Sequence, residues 1–156
     1  VVLLDLALTQ IDLAQSARGL ARYYRVGVAS RGYDDVNSSL RVEAFSGIGL
    51  RPYPVSHLRH QVVAGDVQCE WKRRTRIDGD SWLSSEVPLA EDGEAYRIRI
   101  IQGAAIVTEY SSAQPAFLYT AAMRAIDAVA GPFRLAVAQV SQSFGPGPFR
   151  QIDVVP

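Results

Sequence analysis

The 156-residue sequence contains one cysteine, one methionine and two histidines. A single cysteine, Cys69, excludes an internal disulfide and any cysteine-built metal cluster. It stands between Gln68 and Glu70 in an alternating apolar pattern, which predicts a small buried core residue. His57 and His60 lie three apart in a stretch that reads as strand, so they point to opposite faces and cannot share a metal through it. No apolar run approaches the roughly 18 residues of a membrane span, and no secretory leader pattern is present. Neither sign of charge dominates: 16 basic residues balance 16 acidic ones. That leaves no basic stripe suited to nucleic acid and no like-charge tail. G-x-S-x-G, Walker and G-x-G-x-x-G motifs are all missing. FGPGPF (144–149) has glycines, but its prolines remove the amides that a phosphate cradle needs.

What is present is apolar content of 48%, enough to bury the core of one ordinary domain with at most a small appendage. The chain opens Val-Val, and its methionine is Met123, which predicts a piece of a longer protein. VVLLDL (1–6) and ARYYRVGVA (21–29) read as strands, with a helical turn or loop over 13–21 between them. GYDDVNSS (32–39) is turn chemistry. LRVEAFSG (40–47) alternates as a half-buried strand would. GIGLRPYPVS (47–56), with two glycines and two prolines, is the expected boundary, separating 1–50 from 51–156, and should be extended and unpaired in places.

Beyond it come about seven strands. HLRHQVV is followed by DVQCEWKRR, which stacks Val67, Cys69 and Trp71 on one face. AYRIRII stacks Tyr96, Ile98 and Ile100, leaving Arg97 and Arg99 on the other face, where they are expected to discourage edge pairing. AIVTEYS, AFLYTA, FRLAVAQVS and RQIDVV complete the set, with a short helix in AMRAIDAVAG stopped by its glycine. Short turns and a single helix argue for an all-β antiparallel sandwich, because a parallel sheet needs a crossover helix after nearly every strand.

Candidate chemistry is sparse. The DGD of 78–80 puts Leu83 where a calcium loop of the helix-loop-helix kind requires glycine. Asp78, Asp80, Glu86, Glu91, Asp92 and Glu94 supply carboxylates, but no pattern in them defines a hydrolytic pair. No catalytic, cofactor or metal site is expected, and the chain is expected not to be an enzyme. Tyr23, Tyr24, Tyr33 and Tyr53 belong in a core by their strand positions, with an exposed sugar-stacking or docking face as the alternative. RRTRIDGDSW (73–82) is the densest charged segment: Arg73, Arg74 and Arg76 precede Asp78, Asp80 and Trp82. Arginine forks suit carboxylates and the indole suits a guanidinium, so the segment reads as a self-bridging brace over the sandwich edge. Partner contact through the same six residues is the competing reading.

From about Pro52 onward the sequence resembles a fibronectin type III domain. Trp71, in CEWKRR, stands where that family carries its second-strand tryptophan. AYRIRI resembles the third strand, FLYTAAM the fifth and FRLAVAQVSQSFGPGP the sixth with its loop. Three features depart from the pattern. Phe133 replaces the tyrosine that opens the sixth strand, the 75–94 connection is long, and a short helix is inserted. GLARYYRVGVASRGYDD, GLRPYPVSHLR and above all WKRRTRIDGDSW with EVPL also resemble the C-terminal end of the baseplate hub ("megatron", host-specificity) proteins of gene transfer agents and long-tailed phages.

This second resemblance implies a virion structural protein at the tail tip of a phage-like particle, made in the bacterial cytoplasm. Its implied partners are other tail and baseplate proteins and a host-surface glycan or protein, without nucleic acid or a membrane span, in a homotrimer within the parent hub. Residues 1–50 would belong to, or strap, the preceding hub domain. The hydrolase-like barrel that the family carries upstream is outside this sequence, so hydrolysis is not carried over. The rival reading is a carbohydrate-binding module of a cell-wall-degrading enzyme.

Overall fold

A computed structural model describes residues 13–28, 30–76 and 88–156. The chain divides into two compact units, Val1–Gly49 and Leu50–Pro156. The strand expected over VVLLDL lies outside the described residues.

In the first unit a 3-10 turn, Gln15–Ala17, precedes β1 (Arg22–Val26) and β2 (Ser39–Glu43). The two strands pair antiparallel in register from Arg22 opposite Glu43 to Val26 opposite Ser39. The turn chemistry between them works as its residues suggest. The Asp35 carboxylate accepts from the backbone N–H and side-chain amide of Asn37, at 3.1 and 3.0 Å, and the Ser38 hydroxyl donates to the Asp35 carbonyl. The half-buried alternation expected of β2 is not found, because every residue of the strand is exposed. A ribbon of two strands hides a face only where a second layer covers it. The tyrosines expected in a core are likewise outside one. Tyr23 is 75% exposed and Tyr33 79%. Tyr24 alone of the four is half-buried, edge-on to Phe45.

The second unit is the sandwich. One sheet runs in the order β3 (Ser56–Val63), β4 (Asp66–Lys72), β7 (Ala116–Tyr119). The other runs β10 (Arg150–Val154), β8 (Phe133–Ser141), β5 (Tyr96–Gln102), β6 (Ala105–Ser112), and a two-residue β9 (Gly145–Pro146) pairs with β8 inside the segment expected to be loop. Every pairing is antiparallel. The boundary stretch, expected to be extended, begins with a 3-10 turn over Ile48–Leu50.

The period-two stripes build the core as predicted. Val67, Cys69 and Trp71 of β4 face Tyr96, Ile98 and Ile100 of β5, joined by Leu135, Val137, Tyr119 and Val154. Trp71 is 2% exposed and meets Tyr96 edge to face, 5.1 Å between centroids. This geometry suits the ring quadrupoles and ties one sheet to the other. The strand β8 is buried on both faces over 135–139, where its outward positions are Ala136 and Ala138, paired opposite Arg99 and Arg97.

That pairing corrects the role expected of the two arginines. β5 bonds to β6 on one side and β8 on the other, so Arg97 and Arg99 lie mid-sheet and guard no edge. Arg99 instead engages Glu109 and stacks over the Phe149 ring at 3.9 Å. The edges are protected by other means. A register shift interrupts β3 after Ser56, where His57 has φ +51°, another interrupts β6 opposite Ile100 and Ile101, and β7 has only four residues.

The helix α1 (Ala121–Ile126) is shorter than its sequence suggests. Thr120 caps its start by accepting from the Met123 N–H at 3.1 Å, and the Ala121 N–H donates to Asp66. The expected glycine stop is corrected: the helix ends at Asp127, and the left-handed residue after it is Ala128, φ +54°, three positions before Gly131. Asp127 also anchors this connection. Its Oδ2 accepts from both the Tyr110 and the Tyr119 hydroxyl, at 2.6 and 2.7 Å. Phe133 has no hydroxyl to offer, but it packs edge-on against the Tyr119 ring, so the phenols of β6 and β7 hold the connection that precedes it.

Candidate contact site at the base of the 73–95 connection

β4 releases the chain after Lys72 and β5 recovers it at Tyr96. Two ion pairs join the departing and returning arms. Arg76 donates through Nη2 at 2.8 Å and Nε at 3.2 Å to the same oxygen of Glu91. The Glu91 side chain is 4% exposed and that of Arg76 16%, so both charges are largely withdrawn from water. Nearer the sheets, Arg73 lies 4.0 Å from Glu94, whose other oxygen accepts from the Tyr96 hydroxyl at 2.6 Å. Burial first, and the neighbouring Glu94 carboxylate second, push the Tyr96 phenol above its ordinary pKa. The outer edge of the Arg76 site is the Phe144 ring, 5.8 Å from the guanidinium.

The pairs nest. Arg73 and Arg76 are three apart on one arm, Glu94 and Glu91 three apart on the other, so the connection is laced at its neck. The sequence reading placed the carboxylate partners at Asp78 and Asp80 with Trp82 beside them, and those three residues lie outside the described residues. Glu91 and Glu94 were visible only as unassigned carboxylates. The signal that identifies them is the mirrored spacing of two arginines just after one strand and two glutamates just before the next.

Arg74 behaves differently. Its guanidinium lies over the Tyr53 ring at 5.2 Å, and Arg74 itself is exposed. The structure thus brings Arg73 and Arg76 together as one brace and sets Arg74 apart.

Burial also shifts titratable groups away from this site. Burial pushes the Cys69 thiol up to about 12, which keeps it protonated and unreactive at neutral pH. Tyr110 and Tyr119 are also raised, by burial first and the Asp127 carboxylate second. No group of three or more His, Cys, Asp or Glu side chains able to hold a metal occurs among the described residues. Among them, too, no helix is long and apolar enough to cross a membrane.

No protein-family model and no curated protein matches this sequence. Solved structures do match its fold. The chain is similar to the extracellular region of rat CD45, domains d3-d4, over 100% of its own length and 74% of that chain, at 8% identity and a TM-score of 0.50. It is also similar to the Clostridium perfringens spore cortex lytic enzyme SleM over 83% of its own length and 37% of that chain, at 9% identity and a TM-score of 0.46. At such identities the likeness concerns architecture alone: the protein is an all-β, fibronectin type III-like antiparallel sandwich with one short helix.

Proposed function

We propose that this chain is a non-enzymatic structural module of a phage-like tail tip, the distal part of a baseplate hub, serving assembly or contact with the host surface. The sequence resemblance over WKRRTRIDGDSW supplies the setting. The structural observation that supports it is the β1–β2 ribbon. Tyr23, Leu40 and Val42 lie on one face at 75%, 63% and 51% exposure, and Val26 lies on the other at 56%. A two-stranded ribbon with apolar side chains open on both faces is marginal in water and suits a module whose neighbours complete it. In this reading the neighbours are other tail and baseplate proteins around a threefold hub. The test is immunogold labelling of tailed particles from the encoding organism with antibody against this chain. Label at the tail tip is expected, and label on the cell wall with bare particles would overturn the reading.

The exposure of Tyr23 and Tyr33 favours a second reading, a carbohydrate-binding module of a cell-wall-degrading enzyme. It requires the isolated chain to bind glycans on an array, with loss of binding in Tyr23→Ala or Tyr33→Ala.

A further inference from the structure

Of the three arginines clustered after β4, two face a carboxylate and, among the described residues, Arg74 does not. Arg73 and Arg76 face Glu94 and Glu91 on the returning arm. Neither Arg74 nor Lys72 takes part in an ion pair among the described residues, and both side chains belong to exposed residues. Glu70, the nearest carboxylate along β4, is engaged by Arg59 at 3.4 Å. The Arg74 guanidinium is not loose either. It rests on the Tyr53 ring, which is 45% exposed, so part of the ring remains open beside the cation. An arginine ordered by an aromatic face keeps its planar fork free for an acceptor at reduced entropic cost.

The geometry points to Arg74, laid on Tyr53 with Lys72 two residues before it in the chain, as a docking spot for a carboxylate-bearing surface of a protein partner. The inference rests on the assembly reading given above and names the chemistry of one contact within it. Charge complementarity selects an anion, because two cations two residues apart carry no ion pair among the described residues, on a chain whose net charge is zero. The planar fork matches a carboxylate bidentately. An arginine with a half-open tyrosine is the composition that dominates binding energy between proteins. A phosphate polymer gains affinity by crossing many uncompensated cations in a row, and here the neighbours Arg73 and Arg76 are already neutralised.

The experiment uses the whole chain and a fluorescein-labelled, glutamate-rich peptide, read by fluorescence anisotropy. Binding is expected, weakening as salt rises from about 50 to 300 mM because the contact is exposed to solvent. Arg74→Glu should weaken it by about tenfold or more and Tyr53→Ala by about threefold. Arg134→Glu, a charge reversal at the start of β8, at the opposite end of that strand from Gln139, which bonds Gly147 beside Pro52, should leave it unchanged. Circular dichroism melts confirm that each variant is folded. Absence of binding by the wild-type chain, or equal binding by Arg74→Glu, overturns the proposal. Polyphosphate that binds more tightly than the peptide, through the same Arg74, reassigns the spot to phosphate and also overturns it. Unlabelled particles combined with Arg74-dependent peptide binding would end the tail-tip reading and leave the docking spot standing.

Discussion

Arg76 reaches across the neck of the 73–95 connection and places two N–H groups on a single oxygen of Glu91, a carboxylate that is almost entirely buried. Removing one partner strands the other charge away from water. Arg76→Ala or Glu91→Gln should therefore cost about 3 kcal/mol, measured by urea unfolding. The double replacement Arg76→Met with Glu91→Leu should recover much of that loss, because the desolvation penalty disappears with both charges. Arg74→Ala should change stability by less than about 0.5 kcal/mol, as a surface substitution does.

Two phenols share the Asp127 oxygen. Tyr119→Phe should lose about 1–2 kcal/mol, since it removes a hydrogen bond to a charged group, and Tyr110→Phe should lose a similar amount. A double-mutant cycle should show the two losses coupled, because they act on one acceptor. Strict additivity would rule out the shared anchor.

Ala64 and Gly65 both have positive φ, at +52° and +89°, so the β3–β4 turn is a type I′ hairpin turn with alanine where asparagine is preferred. Ala64→Asn, and separately Ala128→Gly, should each stabilise by about 1 kcal/mol by relieving a left-handed alanine. The thermal midpoint should rise by about 4 °C for each. Gly147 sets the opposite case: a Cβ there would lie 2.2 Å from the Pro52 carbonyl oxygen, so Gly147→Ala must move backbone and should destabilise by several kcal/mol.

The pH dependence follows from Cys69. Its thiol is raised in the folded state from 9.0 to about 12, so its contribution to stability is fully present below pH 9 and is lost as the pH climbs toward 12. Tyr96 and Tyr119, shifted in the same direction, act in the same sense above pH 10. Thermal midpoints should fall through this alkaline range, less steeply in Cys69→Ala. The native thiol should also resist a disulfide reagent at pH 8 until denaturant is added.

How much of this was legible depended on whether a residue's neighbours are close in sequence or only in space. Val67-Cys69-Trp71 and Tyr96-Ile98-Ile100 announced themselves, because alternation is a local property and both faces of each strand differ sharply in polarity. Arg97 and Arg99 misled, because the same alternation occurs on an interior strand whose outer surface is wet, and strand order is not written in any one strand. The helix stop was misplaced because glycine is the residue that normally takes a left-handed conformation, yet Ala128 takes it here, where the Ala128 and Val129 N–H groups close back on the Ala125 and Arg124 carbonyls. The tyrosines of the first unit were misassigned because strand propensity says nothing about whether a second layer exists. At the candidate site, Asp78, Asp80 and Trp82 lie outside the described residues, and Glu94 and Glu91, which meet Arg73 and Arg76, were not assigned from sequence because they are near the arginines only in space.

The laced neck has an evolutionary consequence. With Arg73–Glu94 and Arg76–Glu91 fastening the arm after β4 to the arm before β5, a chain spliced between them meets the scaffold at two fixed posts. Strain that reaches either arm is met at these posts before it reaches the Trp71–Tyr96 contact between the sheets. The same arrangement makes this protein a natural frame for grafted loops.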